Sequence, residues 1–197
     1  DYEDLGEIIF RGQSSVVNGK FDFDFVVPRD ISIPLGDGRV SFYAKRDGVL
    51  ENQTGVNTSI VVGGINENAV ADNLPPTIEA FMNDESFVSG GITGQSPFLL
   101  INLEDENGIN TASGIGHDIT AIIDGDEANP QILNDYYETE LDDFTKGKVK
   151  YQYRDLEPGL HTLLVKAWDS YNNSISTEIQ FIVVNENDEL VINRVLN

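Results

Sequence analysis

The sequence predicts an all-β protein made of tandem immunoglobulin-like β-sandwich domains, the first of them incomplete. Three observations lead there. Residues 161–168 and 177–184 alternate apolar and polar side chains around a polar bend at 169–173, and a Leu156-Glu157-Pro158-Gly159 turn introduces them. Such spelling is common at the closing end of extracellular immunoglobulin-like sandwiches. Phe21, Phe23 and Phe25 alternate with Lys20, Asp22 and Asp24, so three rings share one face of an extended segment and charges the other. Helical periodicity is scarce, while 18 glycines and 7 prolines supply turns at short intervals.

In chain order, residues 7–13 read as a first strand. Asn18-Gly19 is a strong hairpin signal, because both residues tolerate the positive φ that a tight turn requires. The phenylalanine strand follows, then an extended passage punctuated by Pro28 and Pro34. Val40, Phe42 and Ala44 alternate with Ser41, Tyr43 and Lys45 in a third strand; 47–56 reads as a polar loop and 60–62 as a short fourth strand closed by Gly63-Gly64. Four strands are too few for a sandwich of seven or so. Residues 1–65 are therefore expected to be a partial β domain whose missing strands lie upstream. No secretory signal stands at Asp1, which reads as a mature protein or an excised piece.

Residues 66–76, rich in Asn and Ala and ended by Pro75-Pro76, form the linker. A second immunoglobulin-like sandwich is expected over 77–185, with strands at 78–82, 98–103, 118–124, 149–154, 161–168 and 177–184. Another short strand is placed near 132–137. Leu133, Tyr137, Leu141 and Phe144 also fall at helical spacing. Asn129-Pro130, the Tyr136-Tyr137 pair and Gly147 favour strand and loop across 131–145, and that reading is taken. Residues 186–197 read as a linker toward a further domain.

Composition narrows the function. Twelve Lys and Arg against 34 Asp and Glu leave a formal charge of −22, which repels phosphate backbones and anionic membrane surfaces alike. The apolar stretches are short and broken, so none spans a bilayer. With no cysteine, disulfides, thiolate zinc sites and thiol nucleophiles are all excluded from this stretch.

Candidate chemistry is sparse. Only His117 and His161 could serve as imidazole bases, and neither accompanies a Gly-x-Ser-x-Gly elbow or a His-Glu-x-x-His helix. A structural histidine at the start of a strand is the ordinary account of His161, and a His117–Asp118 turn that of His117. The carboxylate pairs Asp124/Asp126 and Asp142/Asp143 could flank a sugar, but in an acidic chain such pairs are ordinarily solvated surface. Trp168 and the tyrosines 136, 137, 151 and 153 would matter as a stacking platform if exposed; Trp168, ending an apolar strand, is expected to be partly buried. The oxygen-rich loops at 104–108, 124–127 and 169–173 lack the spacing of a calcium-binding helix–loop–helix, and Asx turns bonded to their own backbone account for them. No catalytic, cofactor-binding or metal residue is assigned; a structural Ca²⁺ held between opposed loops is the one alternative.

A longer pattern adds to this. Phe81-Met82-Asn83-Asp84-Glu85-Ser86-Phe87-Val88-Ser89-Gly90-Gly91 leads to Leu103-Glu104-Asp105-Glu106-Asn107-Gly108-Ile109-Asn110. Gly114-Ile115-Gly116-His117-Asp118-Ile119 and Leu133-Asn134-Asp135-Tyr136-Tyr137 follow, and Phe21-Asp22-Phe23-Asp24-Phe25-Val26-Val27-Pro28-Arg29-Asp30-Ile31 precedes them. This succession resembles the region after the peptidase domain in PorU-type sortases of the type IX secretion system, which carry a gingipain-like cysteine peptidase domain. The resemblance implies a cell-surface parent that cleaves the C-terminal sorting signal of secreted cargo and helps attach the cargo to a surface lipopolysaccharide. The family's catalytic Cys and His lie in the peptidase domain, so none carries over. The expected role is a non-catalytic region that spaces or positions the peptidase, with secreted cargo or outer-membrane secretion components as partners. The alternative is a carbohydrate-binding or adhesive surface module.

Overall fold

The computed structural model describes residues 8–29, 31, 35–112 and 116–185. Among these the chain is built almost wholly of strands, and from Thr77 onward they form two packed sheets. One sheet has the order β4 (Gly91–Thr93), β11 (Ser174–Val183), β10 (Gly159–Trp168), β6 (Thr120–Ile123), β7 (Gln131–Ile132). The other runs β3 (Thr77–Met82), β5 (Phe98–Glu104), β9 (Asp143–Gln152), β8 (Tyr137–Glu140). Every pairing is antiparallel except β4 with β11.

Alternation explains the core. On β10, His161, Leu163, Val165 and Ala167 point inward while Leu160, Leu164 and Lys166 face out or half out. Register then aligns like with like: Leu163 sits opposite Ile179 on one side and Ile123 on the other. In the facing sheet Leu99 lies between Met82 and Tyr151, and Ile101 between Ala80 and Val149. Phe181, Met82, Leu99, Ile101, Ile119, Leu133, Leu163 and Val165 are fully buried between the layers. Each buried side chain of this size contributes about 2 kcal/mol by leaving water.

Strand positions in 77–185 follow the sequence, with three differences. β4 lies where no strand was expected, three residues being too few to show a pattern. β9 begins six residues before the expected 149, because its first half, Asp143–Gly147, alternates weakly. The expected strand at 132–137 is divided into β7, a single 3-10 turn at Asn134–Tyr136, and β8, so helical spacing across 131–145 yields no more than that turn.

The first 65 residues differ more. Two strands, β1 (Gly36–Lys45) and β2 (Asn52–Val62), form an antiparallel ribbon where four strands were expected. The predicted loop at 47–56 shrinks to a turn at 46–51, and the predicted strand at 60–62 is only the end of β2. Residues 52–59 are exposed on both faces of the ribbon, so no apolar alternation marks them as a strand. Asn18 and Gly19 do turn the chain, with φ of 52° and 75°, but the turn joins only Val17 to Lys20.

Phe21, Phe23 and Phe25 present their rings on one face as predicted, yet residues 21–29 join no sheet. Their rings stack in series and Phe42 of β1 caps Phe21 and Phe23 edge-on at 5.2 and 6.2 Å. Of the predicted strand at 7–13, Glu7 lies outside the described residues and the rest makes one bridge, Gln13 to Leu141. This segment straps the free edge of β8: Gln13 N–H donates to Thr139 Oγ1 at 3.1 Å, and Asp142 N–H to the Gln13 carbonyl at 3.1 Å. The expected linker at 186–197 also lies outside the described residues, as does Gly114-Ile115 of the quoted pattern.

Candidate functional site

The loops at one end of the sandwich carry the densest polar chemistry. The loop after β5 and the loop from β10 to β11 are zipped together: Asn110 N–H donates to the Trp168 carbonyl at 2.9 Å, and Ser170 N–H to the Gly108 carbonyl at 3.0 Å. This pairing follows from where β5 and β10 end, since both strands finish at the same rim. It buries Asp105, 7 % exposed, and Asp169, 0 % exposed. Asp72 of the 66–76 segment reaches over them, and the three residues bring carboxylate oxygens within 4.8 Å of one another. Among the described residues this is the one group of three or more acids or histidines so arranged.

Hydrogen bonds account for most of these oxygens. Asp169 Oδ1 accepts from the backbone N–H groups of Tyr171 and Asn173, both at 2.8 Å, and Oδ2 accepts from Asn173 Nδ2 at 2.7 Å. Asp72 Oδ1 accepts from Leu74 N–H at 2.9 Å and Oδ2 from Asn107 Nδ2 at 2.8 Å. Asp105 Oδ1 accepts from Asn107 N–H at 2.8 Å. Asn173 Nδ2 also donates to the Asp72 carbonyl at 3.4 Å. Two asparagines, Asn107 and Asn173, thus staple the segment between ribbon and sandwich onto the rim.

No ion pair among the described residues reaches these acids. Burial pushes the Asp105 carboxyl up to about 6; the Asn107 N–H opposes this, and the Asp169 and Asp72 charges reinforce it. The arrangement can take up a proton. Five of the six carboxylate oxygens already accept a hydrogen bond from the protein, as Asx turns bonded to their own loops do. The loops at 104–108 and 169–173 are thus brought together, while that at 124–127 lies at the far end of β10. There Asp124 binds His161 and Thr162 N–H, and Asp126 accepts from Asn129 Nδ2 at 2.9 Å.

The other sequence candidates are dispersed. His117 packs against Trp168, ring centroids 4.3 Å apart, and Lys166 Nζ lies over the same indole at 4.2 Å. Trp168 is half-buried and covered by both. Tyr136, Tyr151 and Tyr153 meet edge to face at 86° and 85°, so they present no common plane. Asp143 accepts from Thr145 in a local contact, while Asp142 accepts from Ser15 N–H and so helps hold the strap on the β8–β9 turn. A shallow recess beneath the strap is lined by Phe10, Phe25, Ile109, Tyr137 and Phe144 among others, without a carboxylate. A neighbouring shallow one has Asp135 as its one carboxylate.

Sequence reasoning missed Asp72. It stands in an Asn- and Ala-rich stretch with no local motif, and its role exists only through contacts across 33 and 97 residues to Asp105 and Asp169. Asn107 and Asn173 were legible as turn residues but not as staples.

No protein-family model matches the sequence, and no curated protein matches it. Among solved structures, the dimeric latent PorU from Porphyromonas gingivalis is similar over 86 % of this chain, at 34 % identity and a TM-score of 0.58. The chain is PorU-related. It spans 16 % of that protein's length. The resemblance seen in the quoted blocks is therefore carried by the fold as well. An endo-β-1,4-mannanase from Thermotoga petrophila aligns over 56 % of this chain and 20 % of its own, at 10 % identity and a TM-score of 0.37, too distant to inform on fold or chemistry.

Proposed function

We propose that this PorU-related chain is the non-catalytic β-sandwich region of a cell-surface type IX secretion sortase. It holds the peptidase at a set distance from the outer-membrane docking segment and offers an acidic face to cargo or to secretion partners. The observation that carries this reading is the 34 % identity to PorU over 86 % of the chain. The docking of Asp72 on Asn107 and Asn173 supports it, because a spacer needs its connecting segment held rather than loose. So does the net charge of −22, which favours cationic partner surfaces over lipid or nucleic acid.

The test is removal of residues 77–185 from the full-length protein in its own host. Cargo processing or attachment should be lost while the peptidase remains folded and cleaves a small peptide substrate. Normal processing and attachment by the deletion variant would contradict the positioning role.

A further inference from the structure

His161 is the buried titratable group for which the proposed role has no use, and its surroundings are unusually specific. It is 9 % exposed at the inward face of β10, at the end of that strand opposite Asp169. The ring lies over Phe181 of β11, centroids 5.4 Å apart and planes 23° from parallel. Nδ1 sits 2.7 Å from Asp124 Oδ2, in the turn after β6, and Nε2 sits 2.7 Å from the carbonyl oxygen of Glu157, in the loop before β10. Both neighbours are oxygen acceptors. A neutral imidazole has one N–H and one lone pair, so in either tautomer one contact would set two lone pairs against each other. Only the imidazolium, with an N–H on each nitrogen, satisfies both.

We propose that His161 is a proton-dependent clasp: as imidazolium it ties the 124–127 turn and the 154–158 loop to the β10–β11 sheet, and on losing its proton it releases the loop. Asp124 is the charged side chain that faces the ring; it also accepts from Thr162 N–H at 3.0 Å, which fixes its carboxylate on β10. Glu157 presents its carbonyl, β11 presents the apolar Phe181, and Tyr153, beside Asp124, has its phenol pushed well above the ordinary range by burial and stays neutral. Burial disfavours the charged ring, but the Glu157 carbonyl and Asp124 together outweigh it and raise its pKa above the ordinary value. The sign follows. The clasp stabilises fully below the unfolded value of about 6.5 and is lost as pH rises through the higher folded value.

The test uses the 197-residue chain. Long-range ¹H–¹⁵N NMR should show both ring nitrogens of His161 protonated near pH 6. Its titration midpoint should lie above about 6.5, the value of an unperturbed histidine. Amide protection across 154–160, corrected for intrinsic exchange, should fall about tenfold or more once that midpoint is passed. Asp124→Asn, at a half-exposed position, should lower the midpoint and move the exchange step down with it. His161→Gln should show weak protection of 154–160 at every pH; should it fail to fold, Asp124→Asn carries the test. A neutral tautomer at pH 6, a midpoint at or below 6.5, or protection indifferent to the titration would each overturn the proposal.

Discussion

Asp105 shows how a single side chain sets the pH response of the rim. Its carboxyl is raised from 3.8 to about 6 chiefly by burial, so the folded state holds a proton that the unfolded state has already lost between those values. Stability is fullest below about pH 4 with respect to this group and falls as pH rises toward about 6 and beyond, by on the order of 2–3 kcal/mol for a two-unit shift. Asp105→Asn keeps the acceptor for Asn107 N–H and removes the charge. At pH 8, urea titration should find this variant more stable than the parent by about 1–2 kcal/mol, with a flatter profile between pH 4 and 7. A variant less stable at pH 8, with EDTA lowering the parent to the same level, would contradict this and mean that the rim holds a cation.

Elements were legible in proportion to their one-sided burial. β10 and β11 alternate strictly because one face meets the core, and their ends were read to within a few residues. β2 was not legible, since a ribbon wet on both faces imposes no pattern on Asn52–Ser59. Phe21–Phe25 misled for the opposite reason. The alternation is real, but its aromatic face meets Phe42 and Phe10 rather than a paired strand, and Phe21 and Phe23 remain 41 % and 42 % exposed.

At the β8–β9 pair, Gly147 stands where the Tyr137 ring crosses the neighbouring strand: an added Cβ would lie 2.3 Å from Tyr137 Cζ. Gly147→Ala should therefore cost about 1–3 kcal/mol through overpacking. Gly94→Ala, where nothing lies within 4 Å, is the control and should change little. Equal melting temperatures for the two variants would refute this account of the β8–β9 pair. In the sequence Gly147 read only as a turn signal, because the ring that needs it comes ten residues earlier.

For the whole molecule, the rim was half legible. Two of its three acids lie in loops that the sequence singled out as oxygen-rich, but only the fold joins them, and Asp72 arrives from a segment read as plain linker. That arrival matters for the proposed role, since it converts a flexible connection into a docked one. Asp105 and His161 act in the same direction at opposite ends of β10, each stabilising the protonated fold. The carboxyls of Asp84, Asp142 and Asp143, held below the ordinary range by hydrogen bonds from Ser86, Ser15 and Thr145, act in the opposite direction.

Rigid spacing is the claim on which the proposed function turns, and one distance tests it. The chain has no cysteine, so Tyr43→Cys on β1 and Ile92→Cys on β4, both at exposed positions, accept unique spin labels. Double electron–electron resonance should give one narrow distance distribution between ribbon and sandwich, and adding Asp72→Ala should broaden it. A broad distribution in the parent, unchanged by Asp72→Ala, would contradict the account.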